Sequence, residues 1–181
     1  MKAFVSFCLV FTTLNLTAST NETKSVEDVQ ALKLIEEFKG APLSEEGRVA
    51  ASKIVKFAEA SEDISINVTS SLLPWLAGKT SERSKGLLTG AYIAGNTESQ
   101  LRSKRKSDDP HAGIVLVLSV YQKLKLEDSK LTIPKLEEFI VLESQGKLKA
   151  HLNELLQAES QKEQDSSRSQ SSKTNTSNES H

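Results

Sequence analysis

The sequence predicts an all-α protein: a compact bundle or short stack of about six helices, with one extended connector and a disordered C-terminal tail. Three observations lead there. Apolar residues recur at helical spacing in nearly every segment between turn signals. Prolines and capping residues punctuate those segments at short intervals. A single stretch alternates with period two, and a lone strand has nothing to pair with.

The opening residues stand outside that fold. Lys2 is followed by an apolar run, Ala3 to Leu14, broken only by Ser6, Thr12 and Thr13, and then by the small and polar residues Thr17 to Thr20. This is the order of a secretory signal peptide. The run is shorter than the roughly 20 apolar residues that span a bilayer. Cleavage is expected after Ala18 or Ser19. That division makes 1–19 the signal, 20–158 a single helical domain and 159–181 a polar tail. The expected location is secreted or periplasmic. Cys8, the only cysteine, falls inside the signal. The mature chain would then have no disulfide, no cysteine nucleophile and no thiolate metal site, and its apolar core must hold it together. Phe7 stands where a lipoprotein signal carries a small residue, which argues against a lipid on Cys8.

The mature chain, about 160 residues, has room for one domain. Charged residues make up 26% and the formal net charge is −1, so nucleic acid is not an expected partner. No later run is long and apolar enough to cross a membrane.

Each helix has its own signals. Ser25 to Lys39 places Val26, Val29, Leu32, Leu34, Ile35 and Phe38 at helical spacing. Ser25 with Asp28 resembles a capping box, and Gly40 is a C-terminal stop. Ser44 caps a second helix reaching about Ala60, with Glu45 and Glu46 in its first turn. Between Ser61 and Ser71, Ile64, Ile66 and Val68 alternate with polar residues, which reads as an extended connector. Leu72 to Leu76 contains Pro74 and Trp75, the only tryptophan, and reads as one short helical turn.

Ser81 opens a helix to about Lys104. Gly86, Gly90 and Gly95 weaken it or admit a neighbour closely, and Gly95-Asn96-Thr97 is a place where it could divide. Leu88 to Asn96 resembles the first helix of a tetratricopeptide repeat, but no second copy follows at a period of about 34 residues. Asp109-Pro110 pairs a cap with proline at the first helical position. The helix from Pro110 to about Leu126 is apolar nearly all round at first, which predicts the central core element. Thr132 and Pro134 open another helix, with Leu136, Phe139, Ile140 and Leu142 as its buried stripe. Leu148, Leu152, Leu155 and Leu156 make the last amphipathic stripe, ending near Ala158. From Glu159 to His181 there is no apolar residue, hence the expected disorder.

Motifs for chemistry are sparse. The histidines are His111, His151 and His181, and no two have metal-ligand spacing. No Gly-x-Ser-x-Gly elbow occurs. Gly78-Lys79-Thr80 has the ending of a phosphate loop without its leading glycine, since Leu73 occupies that position. Neither metal nor cofactor is expected. Adjacent carboxylates such as Glu137 and Glu138 diverge by about 100° on a helix and do not share one site.

The one local charge feature is Arg102-Ser103-Lys104-Arg105-Lys106, a candidate surface for an anionic partner and equally a favourable helix C-terminus. Trp75, Tyr92 and Tyr121 are candidate partner anchors if exposed, and core residues if they lie on apolar faces. Asn21, Asn67, Asn175 and Asn178 head Asn-x-Ser/Thr sequons, acceptors for glycans in a eukaryotic secretory pathway.

The expected function is that of an exported, non-enzymatic module binding another protein or peptide. The competing readings are a small exported hydrolase using His111 or His151, and a structural envelope component with the tail as spacer.

Overall fold

The computed structural model describes the backbone of residues 18–77 and 79–174, and the side chains of residues 24–162 and 164 other than residue 78. Residues 1–17, which hold Cys8 and most of the expected signal, and the sequons at Asn175 and Asn178 lie outside the described residues, as does His181.

The described residues form six helices and no strand. They are α1 (Ala18–Gly40), α2 (Glu45–Ala60), α3 (Glu82–Ser103), α4 (Pro110–Glu127), α5 (Pro134–Ser144) and α6 (Leu148–Thr174). The capping chemistry accounts for most of these boundaries. Ser44 accepts from the Gly47 N–H, Ser81 from the Ser84 N–H and Asp109 from the Ala112 N–H, each satisfying a donor that the helix start leaves open. Pro110 and Pro134 occupy first-turn positions where no N–H is needed.

Two boundaries differ from expectation. α1 already includes Ala18, the first described residue, and runs straight through Ser25, because residues 18–24 contain no glycine or proline to stop it. Val26 and Val29 then project outward, and the buried stripe is Ala31, Ile35 and Phe38. α6 continues beyond Ala158 to Thr174, so the polar tail begins as an extension of this helix. No apolar face supports that extension, and a helical segment without packing is marginal in water. Glu159 fastens its root to the connector, accepting from the Ser71 N–H at 3.1 Å and the Ser70 hydroxyl at 3.3 Å.

The centre is a helix pair, where the sequence pointed to one core helix. α3 packs on α1, α2 and α4, while α4 packs on α3, α5 and α6. The α3–α4 contact is a backbone-to-backbone fit. A Cβ on Gly95 would lie 2.4 Å from the Ala112 carbonyl oxygen, and one on Gly113 would lie 2.7 Å from the Tyr92 ring. α3 is therefore continuous through Gly95-Asn96-Thr97, and its glycine serves close approach instead of a break. A Cβ on Gly90 would lie 3.1 Å from the Ala51 methyl of α2, whereas one on Gly86 would meet open space.

The connector between α2 and α3 is extended without being a strand. Ile64 is buried, but Val68 is 62% exposed. Its missing strand partner is replaced by one side chain. The Gln100 carboxamide accepts from the Ser65 N–H at 3.0 Å and donates to the Ser65 carbonyl at 2.8 Å. The Leu72–Leu76 segment makes successive turns, with Leu72 N–H to Thr69 O and Leu76 N–H to Leu73 O.

Candidate functional site

Trp75, Tyr92 and Tyr121 are core residues, each 0% exposed, which removes them as surface anchors for a partner. The reason is visible in their polar ends, which are all satisfied internally. Trp75 Nε1 donates to the Thr89 hydroxyl at 3.1 Å, and Tyr92 OH donates to the Asn67 carbonyl at 3.1 Å. Tyr121 OH donates to Glu137 Oε1 at 2.6 Å and accepts from the Ile133 N–H at 3.0 Å. Burial and the Glu137 carboxylate push the Tyr121 phenol up to about 12.

The histidines lie in different settings. His111 Nε2 is 3.1 Å from Glu143 Oε2, joining the start of α4 to the end of α5. His151 Nε2 is 3.3 Å from Lys135 Nζ and 3.5 Å from Glu138 Oε1, with its ring edge-on to Phe139. A hydrolytic centre needs a nucleophile within reach of the imidazole. Among the described residues no hydroxyl is hydrogen-bonded to either ring. Among the same residues no group of His, Cys, Asp or Glu is placed to hold a metal ion.

A buried polar network went unseen in the sequence. Asn96, Thr97 and Gln100 lie on the buried face of α3. Asn96 Nδ2 donates to Asp108 Oδ1, and Asn96 Oδ1 accepts from Gln100 Nε2 at 2.6 Å and from the Asp109 N–H at 3.2 Å. Ser99 donates to Asp109 Oδ2 at 2.6 Å. Two neighbouring carboxylates are thereby driven in opposite directions. Burial raises the Asp108 carboxyl above its usual range, against the hydrogen bonds it accepts from Asn96 and Asn67. At Asp109 burial acts the same way, but the Ser99 hydroxyl and the Ala112 N–H outweigh it and hold the carboxyl low. This network ties the connector to the α3–α4 turn and is structural.

The basic run divides. Arg102 belongs to a charge lattice between α1 and α3: it donates to Glu98 at 2.8 Å and Glu36 at 2.9 Å, and Lys39 bonds Glu98 at 3.2 Å. Burial opposes charge on Glu98, but Arg102 and Lys39 prevail and hold its carboxyl low. Arg102 therefore turns away from the other three cations. Lys104 ends α3 in the left-handed region, at φ 52°, and with Arg105 and Lys106 forms the edge of a cleft of about 620 Å³. Val29 and Leu32 of α1, Ile64 of the connector and Leu101 of α3 give that cleft an apolar lining. Lys24 is ion-paired with Asp63 across it, and Lys106 bonds the Glu62 carbonyl. The sequence supplied the cations, but the apolar wall comes from a helix some seventy residues earlier, about which local pattern is silent.

Three smaller depressions also mark the surface, one of which, of about 440 Å³, lies between α3 and α4 and is lined by Gly95, Ala112, Val115 and Leu116. One of about 300 Å³ between α2 and α3 is lined by Ala51, Val55, Gly86 and Leu87, with Arg48 and Arg83 at its rim. One of about 210 Å³ at the start of α4 is mostly polar and includes His111, Lys149, Arg105 and Asp109.

No protein family, curated protein or solved structure matches the chain. Fold and site thus define an all-α helical bundle with a basic-edged cleft between α1 and α3. Among the described residues no helix is long and apolar enough to cross a membrane.

Proposed function

We propose that the protein is an exported, non-enzymatic helical module that binds another protein or peptide. The α1/α3 cleft carries this reading: it is the largest of the described depressions and combines apolar lining with charge at the edge. Such a combination suits recognition, with apolar contacts supplying affinity and the charged rim supplying orientation. Export rests on the pattern from Lys2 to Thr20.

The reading is tested in the exporting cell with a photo-crosslinking amino acid placed singly at Val29, at Ser52 and at Val141, on three separate faces. A stoichiometric product from at least one position is the expected result. Absence of any product from all three, with the protein folded and exported, overturns it. The hydrolase alternative would then be pursued with His111→Ala and His151→Ala.

A further inference from the structure

We infer that the α1/α3 cleft is a docking groove for an acidic amphipathic helix presented by another protein, an inference that rests on the binding-module reading above. Val29, Leu32, Ile64 and Leu101 give the cleft its apolar part among polar and charged neighbours, and Val26, 67% exposed, continues that strip along α1 beyond the lining. The edge is cationic and unevenly neutralised. Lys24 is cancelled by Asp63 and Lys106 is held on a carbonyl, but among the described residues no carboxylate pairs with Lys104 or Arg105. Asp28 also lines the cleft, but with Lys24, Lys104, Arg105 and Lys106 set against Asp28 and Asp63, positive charge is still left over here by two, in a chain whose formal net charge is −1. Arg102 shows what the alternative looks like: two carboxylates satisfy it within the fold.

Charge complementarity selects an acidic occupant. Shape selects a helix with protruding side chains over a membrane. Gln100 and Ile64, 2% and 9% exposed, lie at the bottom of the cleft, where a flat lipid surface cannot reach them. Apolar residues three and four apart on a helix would lie on the Leu32–Leu101 lining, with Glu or Asp on the flank facing Lys104 and Arg105.

The test uses the mature chain and two synthetic amphipathic helices, one with Leu on one face and Glu on the other, and a twin with Lys in place of Glu. Binding is read by fluorescence anisotropy. The Glu peptide is expected to bind roughly tenfold or more tightly than its twin, and to weaken as salt rises. The double substitution K104E/R105E and the separate substitution Val29→Glu, on opposite walls, should each weaken it roughly tenfold with unchanged circular dichroism. Equal binding of the twins, no binding, or indifference to both variants overturns the inference. So does variant-sensitive binding to phosphatidylglycerol vesicles without peptide binding, which would give the cleft to a membrane. A dimer in sedimentation that Val29→Glu abolishes would give it to a second copy. If the groove fails while crosslinks from Ser52 or Val141 persist, the binding-module reading survives. If no face yields a crosslink, both fall.

Discussion

The α3–α4 seam and the α5–α6 end are both helical pairs, yet they are held by different means. At the seam, Gly95 and Gly113 bring the two backbones together, and the polar cluster of Asn96, Gln100, Asp108 and Asp109 fills the ends of the contact. At the other end, α5 is short, has no side-chain cap at Ile133, and is held by a few large side chains: Leu136 and Phe139 against Leu148 and Leu152. The seam is limited by steric fit, so it has little tolerance for added atoms. The end is limited by apolar area, so it has little tolerance for lost ones. Tyr121 spans the two regions, since from inside α4 its hydroxyl accepts from the Ile133 N–H at the start of α5 and donates to the Glu137 carboxylate in its first turn.

The comparison predicts a graded set of effects. Phe139→Ala should cost about 3–5 kcal/mol by urea denaturation, because the ring is fully buried and short helices cannot close the gap. Its signature should be faster amide hydrogen exchange in α5 and α6 before α3 and α4. Uniform acceleration along the chain would mean that the two regions are one cooperative unit. Gly95→Ala should cost about 1–3 kcal/mol, from the same range that applies to overpacked cores, since the obstacle is the Ala112 backbone carbonyl. A neutral outcome would show that the seam can spread, and the distinction drawn here would fail.

The smallest effect is electrostatic. Asp109 is held low in the folded chain, so its stabilising contribution is complete above the unfolded value near 3.8 and is lost as pH falls through the lower folded value. Asp108 is raised, so acidification through its folded value protonates the native state first and adds stability, until the pH passes below 3.8. Carboxyl titration by NMR should place the Asp108 midpoint above that of Asp109. The reverse order would mean that the polar cluster is not packed as described.

Much of the fold was legible because helix ends carry chemistry. Ser44, Ser81, Asp109-Pro110 and Pro134 mark starts through unsatisfied N–H groups, a local effect that sequence reports directly. The start of α1 was not, because a polar leader without a breaker looks the same whether it is helical or not. Leu116 and Leu118 both lie in the apolar first half of α4, yet Leu116 is only partly buried, whereas Leu118 is 5% exposed. An all-apolar surface does not say which side meets a neighbour. Asn96 and Gln100 were invisible for a different reason. Hydropathy assigns amides to the surface, and only the tertiary fold supplies the partners that let them be buried. The cleft was half legible: Lys104 to Lys106 announce themselves, but Val29 and Leu32 join them only through packing.

One buried residue also makes the molecule its own instrument. Trp75 is the sole tryptophan, is sealed from solvent, and lies 6.5 Å from the Tyr92 ring, centroid to centroid. It stands on the segment joining α2 to α3, whose other attachments run through Gln100, Tyr92 and Glu159. Its fluorescence therefore reports, without any label, whether that segment remains seated. Excitation of tyrosine with emission read from indole adds a distance gauge between the segment and α3. An unmodified chain, watched at two wavelengths, can show whether loosening begins at this strap or in the helices it crosses.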